Sequence, residues 1–169
     1  MRTISLLAVL LLCAGLVANT AHAQAPAPAA EPIPFDIPYG TPITLEHCKR
    51  VLEVALADAK RRNWKMAVAI VDPSGNLVCY ERLDGTMHAS AKVSQGKAWT
   101  AAAFRRPTRA FFDAMETGHP YVSTFEGIVA SPGGIPLVEN GRLIGAIGVS
   151  GGSGPQDEVV AKAGAETVK

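Results

Sequence analysis

Residues 135–158, IPLVENGRLIGAIGVSGGSGPQDE, decide how the second half of the chain folds. Two apolar runs, residues 135–139 and 142–150, flank the pair Asn140-Gly141, which is the strongest two-residue signal for a β-hairpin. A glycine-rich segment follows, and the pattern beyond it predicts a closing helix over residues 157–168. The stretch therefore predicts two antiparallel strands and then a sharp turn into a helix.

The glycine-rich segment, residues 148–154, does not have the pattern of a nucleotide-binding loop. A P-loop ends in Gly-Lys followed by Ser or Thr, whereas this chain has Gly154-Pro155-Gln156. A dinucleotide fingerprint follows a parallel strand, whereas the strand here is one arm of a hairpin. Two interpretations remain. Either the backbone N–H groups of Gly151 and Gly152 receive a ligand carboxylate or phosphate at the helix start, or the glycines only turn the chain.

The first part of the domain contains a second predicted hairpin. Residues 66–72 and 76–82 are strand-like and are joined by a Pro-Ser-Gly turn. Helices are predicted over residues 88–104 and 108–116, followed by a further strand over residues 125–130. The small residues of the 88–104 helix would let it approach a sheet closely. The resulting order, α-β-β-α-α-β-β-β-α, predicts an α+β fold in which helices pack on an antiparallel sheet.

The first predicted helix follows a Thr44 cap and carries two apolar stripes. The stripe with the spacing of a core face consists of Leu45, Cys48, Leu52, Ala55, Leu56 and Ala59. Roughly opposite lie His47, Val51 and Val54. A second stripe is typical of a helix that packs against a sheet on one side and another subunit on the other, although two valines tolerated at the surface would give the same pattern.

The chain is predicted to consist of a signal peptide (residues 1–23), an Ala- and Pro-rich extended tether (24–42) and one domain (43–169). Arg2 provides the positive start of the signal, residues 4–17 are apolar, and Ala21-His22-Ala23 is a small-residue cleavage signal. The apolar run is short for a membrane-spanning helix, which needs about 20 residues. The mature protein is therefore expected in the periplasm or outside the cell, without stable membrane insertion.

Charge and cysteine usage narrow the function further. The chain has 16 Lys and Arg, of which cleavage removes Arg2, and 15 Asp and Glu, so the mature chain has no formal net charge. This balance does not favour nucleic acid as a partner. Export places Cys48 and Cys79 in an oxidising compartment, where they form either one disulfide or two separate buried thiols.

Several blocks along the chain together resemble a known family. They are Val71-Asp72-Pro-Ser-Gly75-Asn76, Arg82-Leu-Asp84-Gly85, Lys97-Ala-Trp-Thr-Ala-Ala-Ala-Phe, Gly133-Gly134-Ile-Pro136 and Asn140-Gly141 through Gly151. From about Thr44 to its end the chain resembles the GlcG/HbpS-like heme-binding family, formerly described as heme-degrading, and is similar to the C-terminal domain of PduO-type proteins. The resemblance implies a profilin-like α/β sandwich with a five-stranded antiparallel sheet flanked by helices. It also implies homo-oligomers of up to eight subunits, and heme or iron as the bound cofactor.

Heme binding needs an apolar slot, usually an axial donor, and groups for the propionates. The candidate iron ligands are His88, His47 and His119. His88 begins the second predicted helix beside one of the matching blocks, and His47 lies on the outer stripe of the first helix, which suits a site between subunits. The candidate propionate partners are Lys97, Arg105, Gly151 and Gly152.

The sequence favours a binding protein over an enzyme without deciding between them. It has no Gly-x-Ser-x-Gly nucleophile elbow, and its cysteines show no activating neighbour. The leading hypothesis is an exported oligomeric protein that binds heme or iron for storage, scavenging or sensing. The alternatives are a small enzyme or enzyme-accessory protein that acts on an organic acid or cofactor, and a structural oligomer without a ligand.

Overall fold

The structure is a computed structural model of the chain, and it describes residues 35–168. In chain order its elements are α1 (Leu45–Arg61), β1 (Ala67–Val71), β2 (Leu77–Arg82), α2 (Ser90–Ala103), α3 (Arg109–Glu116), a 3₁₀ turn (Pro120–Thr124), β3 (Gly134–Glu139), β4 (Arg142–Ser150) and α4 (Gly154–Ala165). The predicted signal peptide and the tether up to residue 34 lie outside the described residues.

Four strands of the described chain form one antiparallel sheet in the order β2-β1-β4-β3. Both predicted hairpins are confirmed. Asn140 and Gly141 have positive φ angles of 49° and 73°, as the tight turn between β3 and β4 requires. In the other hairpin the Asp72 carboxylate accepts hydrogen bonds from the backbone N–H groups of Ser74 (2.8 Å) and Asn76 (2.9 Å).

The fifth predicted strand, over residues 125–130, does not form, so the prediction of a five-stranded sheet is wrong. The N–H of Val129 donates to the Thr100 hydroxyl of α2 at 2.9 Å, and Gly127 has a φ of 74°, outside the strand region. This segment therefore packs over α2 and pairs N–H groups with the Thr100 hydroxyl and with its own carbonyls instead of joining a ladder. The α+β class with helices on an antiparallel sheet is confirmed.

Helices cover both faces of the sheet. α1 and α4 pack on one face, over the main core, and α2 packs on the other. The α2 face is built from small residues: Ala98, Ala101 and Ala102 meet Ala146 of β4. At Gly148 an added Cβ would overlap the Ser94 carbonyl of α2. The predicted close approach of this helix to the sheet is therefore confirmed.

The prediction of an outer apolar stripe on α1 is wrong at Val51, the middle residue of that stripe. Val51 is fully buried in the main core, whereas Val54 is exposed and His47 is half-buried. The reason is that α4 lies against α1: an added Cβ at Gly164 would stand 3.1 Å from the Val51 carbonyl. The second apolar face of α1 is thus covered by a helix of the same chain.

Residues 35–42, which the sequence assigned to the tether, contact the folded domain. The N–H of Leu143 donates to the Pro38 carbonyl (2.8 Å), and the N–H of Gly40 donates to the Leu143 carbonyl (2.7 Å). One parallel bridge joins Tyr39 to Leu143. Residues 36–44 form the entry segment, which runs beside β4 from Pro38 onward and leads into α1.

Cys48 of α1 and Cys79 of β2 form a disulfide. Of the two arrangements that the sequence left open, the structure has the bonded one. The bond ties the first helix to a strand at the edge of the sheet. Within residues 35–168, no helix is both long enough and apolar enough to cross a bilayer.

Candidate functional site

A cleft of about 280 Å³ lies between the entry segment, the start of α1 and the β3–β4 hairpin. It is lined by Gly40, Thr41, Pro42, Ile43, Thr44, His47, Glu139, Asn140, Arg142 and Ile144. The lining combines apolar side chains with one imidazole, one carboxylate and one guanidinium. We call it the His47 cleft.

His47 is the half-buried donor of this cleft. Its Nδ1 stands 3.7 Å from Oε1 of Glu139, and the side chains of the two residues are 16% and 39% exposed. A carboxylate beside one imidazole nitrogen favours a proton on that nitrogen and leaves the other nitrogen as a lone-pair donor. The pair is therefore chemically suited to coordinate a metal through the second nitrogen.

Local backbone structure fixes both partners. The Thr44 hydroxyl accepts the His47 N–H at 3.2 Å and caps α1, which sets the first turn of the helix. On the facing hairpin, Glu139 pairs with Arg142 across the two-residue turn. An irregularity between Leu137 and Val138 shifts the register there, because Ile144 of β4 is an extra residue between the partners Leu143 and Gly145.

His88 and His119, the other two predicted iron ligands, lie on the surface. Nδ1 of His88 is 3.4 Å from Nη1 of Arg82, and both side chains are exposed. His119 packs edge-on against the Tyr121 ring, with 5.8 Å between the ring centroids. Among residues 35–168, no group of three or more His, Cys, Asp or Glu side chains could hold a metal ion.

Lys97, expected to meet a propionate, is instead buried. Its ammonium is 2.7 Å from Oδ2 of Asp157, and the two side chains are 2% and 4% exposed. Burial raises the pKa of the Asp157 carboxyl, although hydrogen bonds from Lys97 and from the N–H of Gly152 act to lower it. In this structure the Lys97 ammonium is therefore paired with an internal carboxylate, and its role as a propionate partner stays a prediction.

The glycine-rich turn is likewise occupied by groups of its own chain. The N–H of Gly152 donates to Oδ1 of Asp157, and the N–H of Ser153 donates to Oε1 of Gln156, both at 2.9 Å. At Gly151, an added Cβ would overlap the Lys65 carbonyl. The structure thus favours the interpretation in which the glycines turn the chain, and an internal carboxylate takes the place expected for a ligand.

Arg105, the remaining predicted propionate partner, holds the entry segment. Its guanidinium donates to the Ile37 carbonyl at 3.0 Å and to the Asp36 carboxylate at 3.2 Å. It also lies 5.4 Å from the centre of the Tyr39 ring. Through these contacts Arg105 supports the segment that lines the His47 cleft.

The sequence model of the family described as "Haem degrading protein HbpS-like" matches residues 43–166, most of the chain. The chain belongs to the HbpS-like family. Protein GlcG of Escherichia coli K12 is 36% identical over 100 residues, which cover 59% of this chain and 75% of GlcG.

Two solved structures of similar proteins share the fold of this HbpS-like chain. A double mutant of Streptomyces reticuli HbpS superposes with a TM-score of 0.72 at 30% identity, over 86% of this chain and 99% of that one. The complex of PduOC with heme superposes with a TM-score of 0.70 at 26% identity, over 76% of this chain and 96% of that one. The resemblance seen in the sequence is therefore confirmed.

The sequence interpretation of this HbpS-like chain missed Glu139 and Arg142. A signal was available, because both flank the Asn140-Gly141 turn and must therefore stand opposite each other in a hairpin. What the sequence did not provide is the packing that brings this hairpin to the start of α1. Of the predicted site residues, the structure places only His47 in this cleft.

Proposed function

We propose that this protein is an exported, oligomeric heme-binding protein, with His47 as the iron ligand. The observation that carries the proposal is the half-buried His47 in a cleft with apolar walls and a carboxylate partner. The relationship to HbpS and to PduOC, which was solved as a heme complex, supports heme as the ligand. Storage, scavenging and sensing all follow from reversible binding, and no reaction is proposed.

The residues of the His47 cleft fit the chemistry of a heme edge. Ile43 and Ile144 supply apolar walls, and Arg142 supplies a cation for a propionate. When bound, heme would supply an iron that accepts a nitrogen donor. A cleft of about 280 Å³ is at the small end of ligand sites, so it would cover only part of a macrocycle. A second subunit would cover the remainder, which links binding to assembly.

Hemin titration followed by Soret absorbance tests the proposal. Wild type should show a saturable shift at micromolar hemin, and His47→Ala should weaken binding at least tenfold, as expected when one metal ligand is lost. His88→Ala and His119→Ala are matched controls on the exposed histidines and should stay within about twofold of wild type. The absence of a saturable shift in wild type, or a loss confined to a control variant, would refute the assignment.

An exposed apolar patch supports the proposed oligomer. It consists of Phe112, Met115, Tyr121 and Phe125, which are 37–57% exposed, and the Tyr121 and Phe125 rings are 6.1 Å apart. Contiguous apolar surface of this kind is typical of subunit interfaces. Light scattering at tens of micromolar should report an assembly that Phe112→Ser with Tyr121→Ser weakens at least tenfold. Val54→Ser, an exposed valine of α1, is the control, and a monomeric wild type would end the proposal.

Export is proposed from the pattern of residues 1–23, and the Cys48–Cys79 disulfide supports an oxidising compartment. Mass spectrometry of the protein from the periplasm or medium should find Gln24 at or near the N-terminus. A full-length protein confined to the cytoplasm would contradict this localisation.

A further inference from the structure

We infer that Glu139 is a positioning residue for the iron ligand, in that it orients His47 and increases the electron donation of its imidazole. This inference rests on the proposed function. The juxtaposition that carries it is Oε1 of Glu139 at 3.7 Å from Nδ1 of His47, across the His47 cleft. With Nδ1 nearest to this carboxylate, a proton is favoured on Nδ1, and Nε2 is the nitrogen left to donate to iron.

The position of Glu139 is set by backbone structure. It is the last residue of β3, directly before a turn whose two residues both have the positive φ that a tight hairpin needs. The backbone of His47 is fixed independently, because its N–H donates to the Thr44 hydroxyl that caps α1. A helix and a strand thus anchor the backbones that carry the imidazole and the carboxylate, which favours a more constant separation than two loops would give.

Among the charged groups described around His47, Glu139 is the carboxylate next to the imidazole. Arg142 lines the cleft from β4, and its guanidinium donates to the Tyr39 carbonyl at 3.2 Å. On α1 itself, Glu46 is paired with Arg50 at 2.6 Å and is 87% exposed. Glu46 therefore offers a matched control, because it is a carboxylate one residue from His47 that already has another partner.

Two substitutions separate orientation from charge. Glu139→Ala removes both, and it should weaken hemin binding about 10- to 100-fold, the usual effect of losing a partner of a metal-ligating histidine. Glu139→Gln keeps an oxygen acceptor at the same position and should lose less affinity. In both variants the Fe–His stretching band of the ferrous complex should move to lower frequency. The reason is that a neutral neighbour gives the imidazole less anionic character than a carboxylate does, which weakens the Fe–N bond. Glu46→Gln should change neither affinity nor band.

A purely structural role for Glu139 would give a different result. If Glu139 only ties the hairpin to α1, Glu139→Ala lowers the melting temperature while the Fe–His band of Glu139→Gln stays at the wild-type frequency. That outcome overturns the inference, as does wild-type affinity in both Glu139 variants. Glu139→Gln preserves volume and polarity, so it keeps the test valid where the alanine variant folds poorly. The proposed function fails separately, by the absence of a saturable Soret shift in wild type or by wild-type affinity in His47→Ala.

Discussion

Lys97 and Asp157, sixty positions apart in the chain, form a buried ion pair with 2.7 Å between Nζ and Oδ2. Lys97 belongs to α2 on one face of the sheet, and Asp157 belongs to the first turn of α4 on the other. The pair therefore joins the two helical layers around the end of β4. Gly133 leaves the space it needs, because an added Cβ there would stand 2.8 Å from Cβ of Asp157 and 3.1 Å from Nζ of Lys97.

Lys97→Met should lower the free energy of unfolding by about 3–5 kcal/mol, because it leaves Asp157 buried and charged without its partner. Chemical denaturation at pH 7 measures the loss. The double variant Lys97→Met with Asp157→Asn is the control: it removes the unpaired charge and keeps an oxygen for the Gly152 N–H, so it should recover part of the stability. Equal losses in the single and double variants would show that the buried charge is not the cause.

Gly151→Ala should destabilise the fold without acting on a ligand, because its Cβ would overlap the Lys65 carbonyl. Gly118→Ala is the matched control: Gly118 also has a positive φ, of 89°, but no atom lies within 4 Å of an added Cβ. It should cost about 1–2 kcal/mol from backbone strain alone, and Gly151→Ala should cost more. Hemin affinity of the folded Gly151→Ala protein should match wild type. If Gly151→Ala loses hemin affinity while its stability stays at the wild-type value, the glycine-rich turn is part of the ligand site after all.

The sequence predicted what local patterns control. The Asn140-Gly141 and Pro73-Ser-Gly75 turns require particular backbone angles, so both hairpins could be predicted and were confirmed. Residues 125–130 have strand-like composition but do not pair with a strand. The backbone N–H of Val129 donates to the Thr100 hydroxyl of α2 instead, and only tertiary packing provides that partner.

The candidate site shows the same difference between local patterns, which the sequence predicts, and tertiary packing, which it does not. His47 was identified as a candidate from its residue type and position on α1. Glu139 was not, because its approach to 3.7 Å depends on how the start of α1 packs beside the β3–β4 hairpin. Lys97 was a candidate propionate partner because it is a cation on a predicted helix, and no local pattern indicated its buried partner Asp157, which is remote in sequence. Sequence separation, rather than residue chemistry, was the obstacle in both cases.

Protonation of Glu158 should make the fold less stable at acid pH. Burial raises the pKa of its carboxyl, but hydrogen bonds from Arg109 (2.6 Å) and Lys162 (3.0 Å) outweigh burial, so the pKa lies below the ordinary value of 4.5. A carboxyl whose pKa is lowered on folding stabilises the protein above that ordinary value, and the contribution is lost as pH falls through the lowered pKa. Glu158→Gln should cost about 1–2 kcal/mol at pH 7.

The difference between wild type and Glu158→Gln should therefore shrink as pH falls below 4.5, when the wild-type carboxyl becomes protonated. Denaturation curves at about pH 7, 5, 4 and 3 measure this convergence. Glu53→Gln, on the exposed side of α1, is the control and should follow the wild-type profile. A stability difference that stays constant from neutral to acid pH would contradict the linkage to Glu158.

Reduction of the Cys48–Cys79 disulfide should lower the free energy of unfolding by about 3–4 kcal/mol, because the bond closes a loop of 31 residues in the unfolded chain. Cys48 is fully buried, so reduction should be slow in the folded protein and fast once denaturant opens it. Denaturation with and without a thiol reductant measures the loss. The Cys48→Ala, Cys79→Ala double variant is the control, and its curve should not respond to reductant. A wild-type curve that is equally insensitive to reductant would show that the bond does not stabilise the fold.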